Sequence, residues 1–148
     1  MFDLNINLKN VDTSFPSIAV GDVLSSVLSV VPEESKKTPG LWMLKVSFET
    51  LAPTTDTKGK DLPPGFKYAA RITLPGQSGA EEHDEMRLKS LCLFIDGCLG
   101  TSTEAGDRPG LNEAMSLVVG KQVLVSFKKS KDDQFGETEV KGYKHVQA

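Results

Sequence analysis

Three cations and three rings share one stretch of this chain: Lys45, Lys67 and Arg71 with Trp42, Phe66 and Tyr68. Cations contact phosphates and aromatic faces stack on bases, so this mixture is what a single-strand polyanion site requires. The stretch reads as two arms, 41–48 and 66–74, each alternating with period two as half-buried strands do. In the first arm Trp42, Leu44, Val46 and Phe48 share a face; in the second, Phe66, Tyr68, Ala70, Ile72 and Leu74 do. Lys45 then lies opposite, beside Met43 and Ser47, and Lys67 and Arg71 lie beside Ala69 and Thr73. The pattern predicts a hairpin with an aromatic core face and a basic outer face, carrying Lys58 and Lys60 on the loop above that face. A second basic cluster, Lys128, Lys129 and Lys131, falls on a later hairpin whose charged tip carries Phe135, with Tyr143 on the strand that follows. Trp42 and Tyr68 compete between core and stacking. Phe135 has no core reason to be where it is.

Little else in the chain suggests chemistry. His83 stands among Glu81, Glu82, Asp84 and Glu85, but two ligands at metal spacing on one helix face are missing, and the run reads as a solvated acidic helix start. There is no G-x-x-x-x-G-K-[ST] loop, no G-x-G-x-x-G after a strand and no G-x-S-x-G elbow. Cys92 and Cys98 fall in one helix, about 9 Å apart by rise alone, too far to bridge. The expectation is a binding protein, without catalysis, metal or cofactor.

The elements that must position these residues come in a clear order. Residues 21–31 read as a long first strand, interrupted in its alternation by Ser25-Ser26, and the polar turn 32–40 leads to the hairpin. The hairpin loop, 52–65, is longer than a turn requires, as functional loops are. Acids crowd the start of a helix near Glu81, where the helix dipole favours them. Leu88, Leu91, Cys92, Ile95 and Leu99 supply its apolar stripe, and Gly100 closes it. One or two helical turns over 111–118 precede strands at 122–127 and 138–146. Three strands, a helix and two strands predict a mainly β domain: a five-stranded OB-like barrel, with the helix between strands three and four plugging one end. Residues 1–16 read as an N-terminal arm in which Phe2, Leu4, Ile6 and Leu8 alternate with polar residues.

At 148 residues, 39% hydrophobic and 25% charged, the chain fits one ordinary globular domain. No apolar run reaches the roughly 20 residues of a membrane span, and the first residues lack signal-peptide features. The net charge of −3 conceals an uneven distribution. Residues 36–74 hold seven bases and three acids, and residues 121–148 hold six bases and four acids. The acid excess lies in the N-terminal arm and the helix. Local potential steers a polyanion more than net charge does.

Several pieces, in this order, resemble a family of small bacteriophage proteins of the early replication and recombination region, regarded as OB-fold single-stranded-DNA-binding proteins. They are Val11-Asp12-Thr13-Ser14-Phe15-Pro16 with Gly21-Asp22, then Ser35-Lys36-Lys37-Thr38-Pro39-Gly40 before Leu44-Lys45-Val46. Pro64-Gly65-Phe66, Asp96-Gly97-Cys98-Leu99-Gly100 and Val118-Val119-Gly120-Lys121-Gln122-Val123 complete the set. The resemblance implies non-catalytic binding of single-stranded DNA in phage replication or recombination, in the cytoplasm of the infected bacterial host. It also implies phage or host replication proteins as partners. Many bacterial single-strand binders end in an acidic tip that recruits partners; here the last residues, Tyr143 to Ala148, carry none.

The residues expected at the DNA are thus Trp42, Lys45, Lys58, Lys60, Lys67, Arg71, Lys128, Lys129, Lys131, Phe135 and Tyr143. The alternative is a protein-interaction or structural virion module without nucleic-acid binding. In that reading the Phe2–Leu8 arm adds to a sheet edge, of a partner or of a second copy in a homodimer or higher oligomer.

Overall fold

The computed structural model describes residues 18–75, 81–129 and 138–146, with only the backbone of 81–83. The Phe2–Leu8 arm, the side chains of Glu81, Glu82 and His83, and Lys131 and Phe135 lie outside the described residues or side chains. The elements are β1 (Gly21–Glu34), β2 (Trp42–Thr50), β3 (Thr54–Thr55), β4 (Asp61–Leu62), β5 (Lys67–Thr73), α1 (Glu81–Leu99), α2 (Leu111–Leu117), β6 (Gln122–Lys129) and β7 (Thr138–His145). Five of the strands form one antiparallel sheet in the order β5-β2-β1-β6-β7, and β3 and β4 form a small ribbon inside the β2–β5 connection. No described helix is long and apolar enough to cross a membrane.

Alternation in β2 sets the core. Leu44, Val46 and Phe48 are buried on its concave side, where Val23, Val27, Ile72, Val123, Val125 and Phe127 join them. β1 breaks its alternation at a bulge between Val27 and Ser29, which leaves Leu28 exposed and returns Val30 to the core side. The inward Ser25 that blurs the sequence pattern is fully buried, and its hydroxyl lies 2.6 Å from the hydroxyl of Tyr68 on β5.

The sheet is strongly curled. Tyr68 on β5 and Phe127 on β6 are separated by β2 and β1, about 14 Å in a flat sheet, yet their ring centroids are 5.5 Å apart. The curl does not close. Among the described residues, β5 and β7 each have one strand neighbour and do not pair with each other. The mainly β domain expected from the element order is thus present as a curled, five-stranded antiparallel sheet with two helices among the described residues, and the sheet is not a closed barrel.

α1 lies against β7, β6 and β5 across the concave side. Its buried residues are Leu91, Phe94, Ile95 and Cys98, while Leu88 is 53% exposed. The stripe read from sequence is thus rotated: Phe94 and Cys98 replace Leu88 and Cys92. Two contacts drive the rotation. Phe94 meets Tyr143 edge-on at 5.1 Å, and Gly97 lets the helix approach the β7 backbone so closely that a Cβ there would stand 2.8 Å from the Cβ of Tyr143. The helix ends at Gly100, with φ at +74° and its N–H donating to the Asp96 carbonyl at 2.8 Å. Arg108 reaches back with two hydrogen bonds to the Asp96 carboxylate, at 2.8 and 2.6 Å, placing a cation at the negative end of the helix. These bonds hold the Asp96 carboxyl below its ordinary range. Burial pushes the Cys98 thiol up to about 12, out of the range of a reactive thiolate.

Candidate nucleic-acid interface

The strand register tests how far the expected binding residues come together. Lys45 and Arg71 are direct partners across β2 and β5, and Val31 of β1 completes their row. All three side chains leave the convex face, as the alternation predicts. The neighbouring row carries Glu33, Met43 and Thr73, and Arg71 Nε donates to Glu33 Oε1 at 3.0 Å, passing over β2. Lys67 lies opposite Glu49, which lies opposite Ser26. Lys45 and Lys67 make no ion pair with a described residue.

Trp42 occupies the first position of β2, at the end of the core face. Past the reach of the core the residue is 41% exposed, although its parity is that of Leu44 and Val46. It stands next to the Lys45–Arg71 end of the sheet.

The loop lysines sit elsewhere. Lys58 and Lys60 are held in a tight turn by Asp56, whose carboxylate accepts from the backbone N–H of both, at 2.9 and 2.8 Å. Asp56 bridges to Ile18, and the Ile18 carbonyl accepts from the hydroxyl of Thr138, the β7 partner of Lys129. Lys58 and Lys60 therefore gather with Lys128 and Lys129 at the beginning of β1, away from the face above which the sequence pattern placed them. Lys128 pairs with Glu139 at 3.4 Å. Phe127 is the partner of Gly21 and Lys45 that of Val31, so the two groups are separated by the stretch Gly21–Val31, roughly 33 Å of extended strand. Lys67, level with Ser26, falls between them.

Tyr143 is packed into the core. Its ring lies against Phe48 and Phe94, and burial pushes its hydroxyl well above the usual phenol range. Tyr68 is likewise part of the core, its phenol raised to about 12 by burial against the opposing effect of Ser25. In this arrangement neither ring offers a free face to a base.

Sequence reasoning missed two cations of this surface. Lys144 reaches Asp22 at 3.0 Å, and that contact, together with the Ser126 hydroxyl at 2.6 Å, holds the Asp22 carboxyl below its ordinary range. Lys141 is exposed on the same strand. Alternation about the inward Tyr143 places Lys144 outward, whereas Lys141 shares the parity of Tyr143 and is the extra residue at the register shift opposite Ser126 and Phe127, which periodicity alone does not reveal.

No protein-family model matches the chain, and no curated protein matches it.

Proposed function

We propose that this protein binds single-stranded DNA without catalysis and with little sequence preference. One observation carries the reading: the register lays the cations out along β1, from Lys128, Lys129, Lys58 and Lys60 through Lys67 to Lys45 and Arg71. A track of separated cations suits an extended chain of phosphates better than a compact anion. Trp42, half-exposed at the end of the track, supplies one stacking face. The meander β5-β2-β1, with β6 and β7 on its other side, together with the curl, supports an OB-like barrel parted at the β5–β7 seam. The resemblance drawn from the sequence places the activity in phage replication or recombination, beside phage or host replication proteins.

The test is fluorescence anisotropy of a labelled oligo-dT strand, competed with duplex DNA, across a salt series. Binding that weakens steeply with salt and resists duplex competition is the expected result. No binding at low salt sinks the reading.

A second reading, a protein-interaction module, is favoured by the apolar residues that α1 leaves to solvent: Met86, Leu88 and Leu93 are 72%, 53% and 47% exposed. Loss of a partner on substituting these residues, with DNA binding absent, would establish it instead.

A further inference from the structure

Of the phenylalanine, tyrosine and tryptophan rings among the described residues, all but that of Trp42 belong to the core. Phe48, Phe94 and Phe127 are buried, and Phe66, Tyr68 and Tyr143 pack against them. The cations of the sheet point the other way. Lys45, Lys67 and Arg71 leave the convex face, so the sheet itself stands between them and the rings. A single-strand site ordinarily presents both in one groove, cations to the phosphates and rings to the bases. Among the described residues, this cationic face has no ring beside it except Trp42, half-exposed at one end. The spacing of the cations agrees. Lys67 and Arg71 are four residues apart on one face of β5, about 13 Å along the strand. That is about four nucleotides at the ~3.4 Å rise of a stacked strand, so phosphates are gripped at intervals and the nucleotides between can stay stacked on one another. The row between these cations, Ser29, Ser47 and Ala69, carries only short side chains.

We propose that the protein grips a single strand by its phosphates with the bases turned to solvent, and so promotes annealing of that strand to a complementary one. This activity rests on the single-strand reading above and adds to it. With one ring at the site, one base gains a stacking partner from the protein, and the others gain nothing by leaving their neighbours. Their Watson–Crick edges then face away from the sheet, open to a second strand. Cations that neutralise the phosphates of the first strand also reduce its repulsion of the second. The acid-rich helix α1 lies across the concave side, away from the approaching strand. The finished duplex, held less tightly than the single strand, leaves the face.

Two measurements on strands saturated with the protein, as judged by anisotropy, test this. Dimethyl sulfate methylates the Watson–Crick edges of adenine and cytosine in single strands, and in the complex these should react within about twofold of the free strand. Complementary labelled strands, each saturated and then mixed, should pair at least as fast as bare strands, read by energy transfer between the labels. Trp42→Ala should need more protein to saturate the strand, yet leave both results unchanged, because that ring meets a single base. Edges protected about tenfold or more in a bound strand would place the bases against the protein. That result, or pairing that slows in step with saturation, overturns the proposal and leaves the single-strand reading standing. Absence of binding at low salt overturns both.

Discussion

Phe48 of β2 and Tyr143 of β7 have two strands between them, yet their rings stack with centroids 6.2 Å apart. Three strand spacings amount to about 14 Å in a flat sheet, so this contact exists only because the sheet is curled. Phe94 of α1 meets both rings edge-on, at 6.4 and 5.1 Å. The open sheet is thus drawn together by an aromatic cluster under the helix, in place of backbone pairing between β5 and β7.

Removing the Tyr143 ring should therefore be among the costliest single changes. Tyr143→Ala leaves a cavity beside Phe48 and Phe94 and should destabilise by about 3–5 kcal/mol in urea unfolding. Tyr143→Phe keeps the ring and should cost under about 1 kcal/mol, since no described residue hydrogen-bonds the hydroxyl. A large loss in the phenylalanine variant would mean that the hydroxyl has a structural partner.

Gly97 is the point of closest approach between α1 and β7. A methyl group there meets the Tyr143 Cβ at 2.8 Å and its carbonyl carbon at 3.3 Å, so Gly97→Ala must push the helix off the strand despite the better helix propensity of alanine. A loss of about 1–3 kcal/mol is expected. Gly110→Ala, where nothing stands within 4 Å of the added methyl, is the control and should change the unfolding midpoint little.

The two buried phenols set an alkaline limit. Burial raises the Tyr68 hydroxyl from 10.0 to about 12 and shifts Tyr143 the same way. The folded state thus disfavours ionisation. This contribution is fully present below the unfolded pKa near 10 and is lost as pH climbs toward about 12. Urea midpoints should be flat up to about pH 10 and fall above it. Tyr68→Phe should make that fall shallower, at the cost of its contact with Ser25. An equally steep fall in the variant would assign the limb to other groups.

Much of this arrangement was legible in the residues. Period-two alternation in 41–48 and 66–74 placed Lys45, Lys67 and Arg71 on the convex face and Leu44, Val46, Phe48 and Ile72 in the core. Two things escaped it. The face of α1 was ambiguous because stripes through Leu88–Cys92 and through Phe94–Cys98 share Leu91 and Ile95; only the approach of Gly97 to β7 selects between them. The site of Lys58 and Lys60 depended on where a long loop folds back, and that is fixed by the Ile18–Asp56 bridge, a contact between segments nearly forty residues apart in sequence. Local periodicity carries no information about such a contact. Trp42 shows the limit of parity itself, since a residue on the inward register is exposed once the strand runs past the core.

The ion pair between Arg71 and Glu33 offers the sharpest test of the proposed interface. Arg71 is half-exposed on the convex face, but Glu33 holds its guanidinium at 3.0 Å and offsets its charge. An incoming phosphate must compete with that carboxylate. Glu33→Gln removes the competitor, and because an exposed pair is worth about 0–1 kcal/mol, affinity for oligo-dT should rise by up to about fivefold. Arg71→Gln and Lys45→Gln should each weaken binding and reduce the salt slope by about one. The charge change alone predicts a similar gain from removing Glu139, the partner of Lys128. Equal gains at both positions indicate a general field, and a gain confined to Glu33→Gln places the strand at Arg71. If Glu33→Gln leaves binding unchanged while Lys45→Gln weakens it, the DNA passes over Lys45 without touching its register partner, and the track runs along β2 alone.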